Sequence, residues 1–137
     1  MKELMTAIRT AIRADVAINA LVPGGIFTGL AKSGSTMPYL VWDHVGSIMP
    51  AYNTGLPQIE RHLLRFRAFS ISAITSIECS EAVENLLVVT PPVLATGTTM
   101  QILRDSHMVA LDPDLSEHGE EVWVSTVQFE AMIQRNP

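Results

Sequence analysis

The sequence of 137 residues is poor in several residue types, and each shortage excludes a class of protein. Cys79 is the only cysteine, so the chain can form neither an internal disulfide nor a zinc site built on cysteines. Lys and Arg number 9 against 14 Asp and Glu. The resulting net charge of −5 argues against general binding to nucleic acid, which requires a basic surface.

The sequence also lacks an apolar run of the kind that crosses a membrane. Its longest uncharged run, residues 85–103, contains a Pro-Pro pair. Near the start, Arg9 and Asp15 stand among the apolar positions, so no signal peptide is expected. A hydrophobic fraction of 47 % with 17 % charged residues is typical of a globular protein. We therefore expect one soluble, intracellular domain over residues 1–137.

Two segments have the pattern of amphipathic helices. The first has apolar residues at helical spacing along one side: Leu4, Ile8, Ala11 and Ile12. Asp15 is a favourable N-cap, which predicts a break and a short further helix over residues 16–21. Thr75 and Glu78 form a capping box, which predicts a longer helix that begins at Thr75. Its apolar side consists of Cys79, Ala82, Val83, Leu86 and Leu87.

Four segments have the composition and alternation of β-strands: residues 39–45, 61–73, 98–111 and 120–133. The last two form a hairpin whose turn contains Asp112 and Pro113, both favourable turn residues. Residues 26–37 and 46–58 are predicted loops. The order α-β-β-α-β-β predicts an α+β fold, in which a mostly antiparallel four-stranded sheet has two main helices packed on one face.

The adjacent residues Asp43 and His44 suggest a catalytic pair, because an Asp that orients a His is a common arrangement in enzymes. They fall within a predicted strand, however, and neighbouring residues of a strand point to opposite faces. The two side chains therefore cannot hydrogen-bond to each other. We interpret the pair as part of the strand.

The other candidates for chemistry favour structural roles. None of the four histidines stands at the i, i+4 spacing of metal ligands on a helix, and we interpret them as scattered surface residues: His44, His62, His107 and His118. A metal site assembled only in the tertiary structure stays open. Cys79 lies on the apolar side of its helix, which favours a core position over a nucleophile. The acidic turn beginning at Asp112 does not match a calcium loop. No catalytic residue, metal or cofactor is predicted.

Arg61, Arg65 and Arg67 fall on one face of the second predicted strand. Two interpretations stay open: a solvated strand face, or a surface that meets an acidic neighbour or a passing polyanion. Acidic residues are concentrated in the last third of the chain: Asp105, Asp112, Asp114, Glu117, Glu120 and Glu121. Complementary patches of this kind could join copies of one protein.

Four stretches of the sequence carry a resemblance to a known family. They are RADVAINALVPGGIF, MPYLVWDHVGS, ERHLLRFRAFSISAITSIECSEAVENLL, and ILRDSHMVALDPDL followed by EVWVSTVQFEAMI. In their order and spacing they resemble the small tail-completion or tail-terminator proteins of long-tailed bacteriophages and prophages. Each stretch is weak alone, but together they cover nearly the whole chain.

The resemblance implies a structural virion protein without catalytic residues. In that family, rings that usually have six copies cap the tail tube and join it to the head connector. It therefore implies a position at the head–tail junction of the virion and assembly in the host cytoplasm. The implied partners are further copies of the chain, the tail tube protein and the connector protein. DNA passes through such a ring without specific binding, and no membrane is involved.

Two sets of contact residues are predicted for this assembly. In the first, the strand with Arg61, Arg65 and Arg67 meets the acidic turn of the next subunit, with Asp112, Asp114 and Glu117. In the second, apolar residues of the loop over 46–58 contact the tube or the connector: Ile48, Met49 and Leu56.

The main alternative is a small ligand-binding or enzymatic α+β domain with a pocket between the sheet and the helices. Its polar contacts would be Asp43, His44, Asp105 and His107. An enzyme needs polar groups that converge in one cleft, whereas the sequence distributes these four over separate predicted elements. A regulatory dimer that pairs exposed sheet edges also stays open.

Overall fold

The computed structural model describes residues 2–32, 34–48, 58–94, 98–113, 116 and 121–135. Its elements in chain order are α1 (Lys2–Ala14), α2 (Val16–Leu21), β1 (Ile26–Thr28), β2 (Tyr39–Ile48), β3 (Gln58–Ser70), α3 (Ala73–Val89), β4 (Thr98–Leu111) and β5 (Trp123–Arg135). No helix in these ranges is both long and apolar enough to span a membrane.

The strands form one mixed five-stranded sheet in the order β1-β2-β3-β5-β4. The strands β2, β3, β5 and β4 pair antiparallel, whereas β1 pairs in parallel with β2. The α+β class is confirmed. The predicted four-stranded sheet and its element order are wrong, because both omit the strand β1. Three residues are too few for an alternation signal, and β1 exists only through its pairing with residues 40–42 of β2.

The first two helices form as predicted. Leu4, Ile8 and Ile12 are fully buried along one side of α1. The Oδ1 atom of Asp15 accepts a hydrogen bond from the amide of Ile18 at 2.8 Å, which caps α2. The periodicity of α1 and the cap of α2 are therefore visible in the sequence before any tertiary contact is known.

The third helix begins earlier than predicted. Its N-cap is Ser72, whose Oγ atom accepts a hydrogen bond from the amide of Thr75 at 3.5 Å. Thr75 lies inside the first turn, so the predicted start at Thr75 is wrong. The strand β3 ends at Ser70, and Ser72, whose backbone is still extended, caps the helix two residues later. The predicted apolar side is confirmed at its most buried positions: Cys79, Val83 and Leu87.

The helices pack on one face of the sheet and form the main core there. In β3 the alternation is confirmed, because Leu64 and Phe66 are fully buried on the helix side while Arg65 and Arg67 lie on the opposite side. Trp42 of β2 stacks on Phe66 with ring centroids 5.7 Å apart. This core therefore lies directly beneath the charged residues of the other face.

We call the opposite side of the sheet the open sheet face, because none of the described helices covers it. It is defined here by Asp43 of β2, by Arg61, Arg65 and Arg67 of β3, and by Glu130 of β5. One end of this face carries a second apolar cluster, in which the buried residues are Tyr39, Val41, Phe69 and Val122. The open sheet face is therefore apolar at one end and charged along its middle.

Candidate assembly surface

Arg61 is paired within its own chain. Its Nε atom donates a hydrogen bond to Oε1 of Glu130 on the neighbouring strand β5, at 2.5 Å. This hydrogen bond lowers the pKa of the Glu130 carboxyl below its ordinary value. The positive charge of Arg61 is therefore already compensated inside the subunit.

Arg65 is paired too, and with better geometry. Its Nη2 atom donates to Oδ2 of Asp43 at 2.7 Å and its Nε atom donates to Oδ1 at 3.2 Å, which makes a bidentate contact between β3 and β2. Asp43 thus lies on the open sheet face. His44 contacts His62 instead, and these two side chains lie on the helix side of the sheet, opposite to Arg65. The prediction that Asp43 and His44 point apart is confirmed.

Arg67 differs from both, because no carboxylate of the described residues lies within ion-pairing distance of it. Its Nη2 atom donates to the carbonyl oxygen of Gly29 over a long 3.4 Å. Its Nε atom is buried and has no hydrogen-bond partner. The guanidinium carbon lies 6.0 Å from the centre of the Phe69 ring. A buried donor on a cation without an acceptor is rare in proteins and unfavourable.

A cavity of about 290 Å³ opens beside Arg67 on the open sheet face. Tyr39 and Phe69, whose rings stack with centroids 4.9 Å apart, form its aromatic wall, while residues 29–31 and Asp112 line its rim. Burial and then the charge of Asp112 raise the pKa of the Tyr39 phenol. The cavity therefore combines one cationic group with an aromatic wall and a protonated hydroxyl.

The helix side of the sheet holds a polar chain that the sequence did not predict. His44 Nε2 lies 2.9 Å from His62 Nδ1, and His62 Nε2 lies 3.0 Å from Oε2 of Glu60. His62 is only 2 % exposed, so the interpretation of the histidines as scattered surface residues is wrong for it. The i, i+2 spacing of Glu60 and His62 was the available signal, but the contact with His44 needs the β2–β3 register.

His107 belongs to a second polar group, which also lies on the helix side of the sheet but at the edge strand β4. Its Nε2 atom lies 2.7 Å from Oγ of Ser125, which also accepts a hydrogen bond from the hydroxyl of Ser80 at 2.7 Å. Asp105 is exposed on β4. The polar contacts proposed for an enzyme are thus distributed over the open sheet face, the helix side and an edge strand. They do not converge in one cleft, and the described residues contain no group of three or more possible metal ligands.

Cys79 lies in the main core, as predicted, with 1 % of its surface exposed. Burial raises the pKa of its thiol to about 11. The Sγ atom donates to the carbonyl oxygen of Leu21 at 3.7 Å. A protonated, buried thiol is a poor nucleophile, so the core interpretation agrees with its surroundings.

The predicted contact residues are only partly within the described chain. Arg61, Arg65 and Arg67 lie together on the open sheet face, and Asp112 lies at the rim of the Arg67 cavity. Those outside the described residues are Asp114, Glu117, Met49, Leu56 and the side chain of Ile48. Their role in assembly stays a prediction.

The family model described as tail completion protein gp17 matches residues 6–134. The chain belongs to this family. The resemblance carried by the four sequence stretches is therefore confirmed over most of the chain. Tail-completion proteins are structural components of phages rather than enzymes, so the interpretation of this protein as a non-enzymatic virion assembly protein is confirmed and the enzymatic alternative is rejected.

Two solved structures have the same fold as this tail-completion protein. A chain from the virion of a native gene transfer agent (GTA) particle is 17 % identical, with 97 % of this chain and 96 % of that chain covered and a TM-score of 0.70. The bacteriophage SPP1 gp17 protein is 15 % identical, with 93 % and 88 % covered and a TM-score of 0.56. At these identities the likeness establishes the fold alone. A search of the curated proteins gave no match.

Proposed function

We propose that this tail-completion protein forms a closed ring at the head–tail junction of the virion. There the ring caps the tail tube and joins it to the head connector, after assembly in the host cytoplasm. About six copies close the ring, since that number is usual in rings of the family that the sequence resembles. The observation that supports a ring most directly is the open sheet face, which no described helix covers.

The composition of the open sheet face suits an interface between subunits. Its ion pairs stand beside exposed apolar residues of β4, of which Leu103 is 45 % and Met108 65 % exposed. Leu103 pairs with Glu130 and Met108 with Thr126, so both lie on this face. A mixture of apolar surface and paired charge is common where proteins associate.

The two edges of the sheet differ, as the repeated contact of a ring requires. The strand β1 at one edge has three residues, whereas β4 at the other edge has 14. A ring repeats one contact between two different surfaces until it closes. The contact between the Arg strand and the acidic turn, with Asp112, Asp114 and Glu117, is one such pair of surfaces. Charge reversal at Arg65 and Arg67 should then weaken assembly.

Contacts with other virion proteins are proposed for Ile48 at the end of β2 and for the residues that follow it. Ile48, Met49 and Leu56 supply apolar side chains that suit a tube or connector surface. DNA passes through the ring without specific binding, because the chain has a net charge of −5 rather than a basic surface.

The proposal is tested by native mass spectrometry and light scattering of the purified chain from low to high concentration, with and without purified tail tubes. A closed species of about six subunits, either alone or on the tubes, is the expected result. A chain that stays monomeric at every concentration and does not bind tubes would refute the proposal.

Joining is tested separately with tails assembled in the absence of this protein. Adding the purified chain should allow these tails to attach to DNA-filled heads, which electron microscopy counts directly. Tails that attach equally well without the chain would contradict the joining role, even if a ring forms.

A further inference from the structure

Arg67 is the one arginine of its strand whose charge is not compensated by a carboxylate of the described chain. Arg61 and Arg65 both have carboxylate partners at hydrogen-bond distance. Arg67 has a single long contact with a carbonyl oxygen and a buried Nε atom without an acceptor. A guanidinium binds a carboxylate with two parallel hydrogen bonds, one of them often from Nε. The missing partner of Arg67 is therefore a carboxylate.

The cavity beside Arg67 has room for such a partner. Its volume of about 290 Å³ lies at the lower limit of small-molecule pockets, which suits one inserted side chain better than a cofactor. Phe69 and Tyr39 form an apolar wall on which the stem of a side chain can pack. Leu30 stands at the rim and is 86 % exposed, so the cavity is reached from outside the subunit.

No described carboxylate of the same copy fills this place. Asp112 is the described carboxylate that lines the cavity, yet it does not form an ion pair with Arg67 and it has an interaction of its own. Within the described chain, no other carboxylate lines this cavity. The place beside Arg67 is therefore available to a carboxylate of a second molecule.

Asp105 has the properties of that carboxylate. It is the extra residue of a β-bulge in the edge strand β4, where the register shifts between Arg104 and Ser106. Bulges of this kind redirect a side chain away from the regular sheet surface. Asp105 is exposed, and within the described part of the chain it has neither a hydrogen bond nor an ion pair.

The two groups also belong to different surfaces of one subunit. The cavity is lined by residues 29–31, β2 and β3, with Asp112 after the end of β4 at its rim, whereas Asp105 lies in the middle of the edge strand β4. We infer that the Arg67 cavity receives the Asp105 carboxylate of a second copy of this chain. This inference rests on the proposed ring, because a contact between two different surfaces of a subunit repeats around a ring.

The inference is tested by a double-mutant cycle on self-association. R67M keeps the side-chain stem beside Phe69 and removes the charge, and D105N removes the opposite charge at nearly constant shape. Because each single variant loses the same charge-assisted contact, we expect about 10- to 100-fold weaker association per interface for each of them. The double variant should be no weaker than the worse single variant, because both remove the same contact.

Two matched variants serve as controls. R9M removes a positive charge at the exposed Arg9 on α1, and E81Q removes an exposed carboxylate on α3. Both should associate within about twofold of the unchanged chain. Thermal unfolding of each variant at low concentration checks that the subunit itself stays folded.

A photo-crosslinking experiment identifies the contact directly. With p-benzoylphenylalanine at position 30, a mixture of ¹⁵N-labelled and unlabelled copies should give a product that joins position 30 of one copy to residues 104–108 of another. Crosslinks confined to other segments would overturn the assignment of Asp105.

The outcomes separate this inference from the proposed function. If R67M forms rings as tightly as the unchanged chain, or if the effects of R67M and D105N simply add, the inference is wrong and the ring stands. If the unchanged chain forms no ring even on tail tubes, the ring itself is refuted, and the inference with it.

Discussion

Gly24→Ala should destabilise this protein strongly, because Gly24 lies against the backbone of the segment that leads into β2. A Cβ atom at residue 24 would lie 1.6 Å from the carbonyl oxygen of Thr36 and 2.8 Å from that of Pro38. Real Cβ contacts essentially never fall below 3.0 Å, so the backbone at Thr36 must move by about 1.4 Å. The amide of Gly24 also donates to the carbonyl oxygen of Pro38 at 2.9 Å.

The magnitude follows from these contacts. Overpacking costs about 1–3 kcal/mol and here meets rigid main chain, so the upper part of that range applies. Loss of the hydrogen bond to Pro38 adds about 1 kcal/mol. The smaller entropy of the unfolded chain with Ala returns about 0.4–1 kcal/mol. The net loss is about 3 kcal/mol, which for a domain of this size lowers the melting temperature by about 10 °C.

Gly46→Ala is the matched control. No atom lies within 4 Å of the Cβ position at residue 46, which is part of β2. Since Gly within a strand is less favourable than Ala, this substitution should stabilise the protein by about 0.5–1 kcal/mol. Urea unfolding followed by tryptophan fluorescence measures both variants. A G24A protein within about 1 kcal/mol of the unchanged chain, or an equal loss in both variants, would refute the argument from backbone contact.

Three further predictions concern one helix cap and two titratable side chains. D15A should lower the free energy of unfolding by about 1 kcal/mol, because it removes the acceptor for the Ile18 amide. Urea titration should show this loss, and an unchanged midpoint would mean that the Asp15 cap does not stabilise the protein. Burial and the neighbouring His62 lower the pKa of His44, so the unfolded chain binds a proton more readily than the folded chain. The stabilisation by neutral His44 is then complete above about pH 6.5 and decreases as the pH falls through the lowered pKa. Urea unfolding of the unchanged chain and of H44Q between pH 5 and 8 measures this decrease. A free energy of unfolding that rises on acidification would contradict it. Cys79, with a thiol pKa of about 11, should not react with a thiol-specific disulfide reagent at pH 8 until urea unfolds the chain, and rapid labelling of the native protein would show that it is accessible.

The periodic elements could be predicted from the sequence, because their signals are local. The buried residues Leu4, Ile8 and Ile12 recur at helical spacing, and the alternation in β3 separates Phe66 from Arg67 without reference to any other strand. The cap at Asp15 is local as well, since it joins residues three apart. The order and spacing of such elements were also enough to indicate the tail-completion family.

The strand β1 and the start of α3 were not predicted correctly, for the same reason. A three-residue strand has no periodicity of its own and depends on the backbone of β2. Two plausible caps, at Ser72 and Thr75, compete within three residues of sequence, and the end of β3 decides between them. Both outcomes depend on where a neighbouring strand begins or ends.

For the candidate assembly surface, the sequence determined that three arginines share one face of a strand and that acidic residues follow in the last third. Only the tertiary structure decided which charges are compensated within the subunit. Asp43 meets Arg65 from 22 residues away and Glu130 meets Arg61 from 69 residues away, whereas Arg67 meets no carboxylate in the described chain. Side-chain direction within a strand is a local property of the backbone, but the partner of a charge is set by sheet register, which is fixed by packing over the whole core.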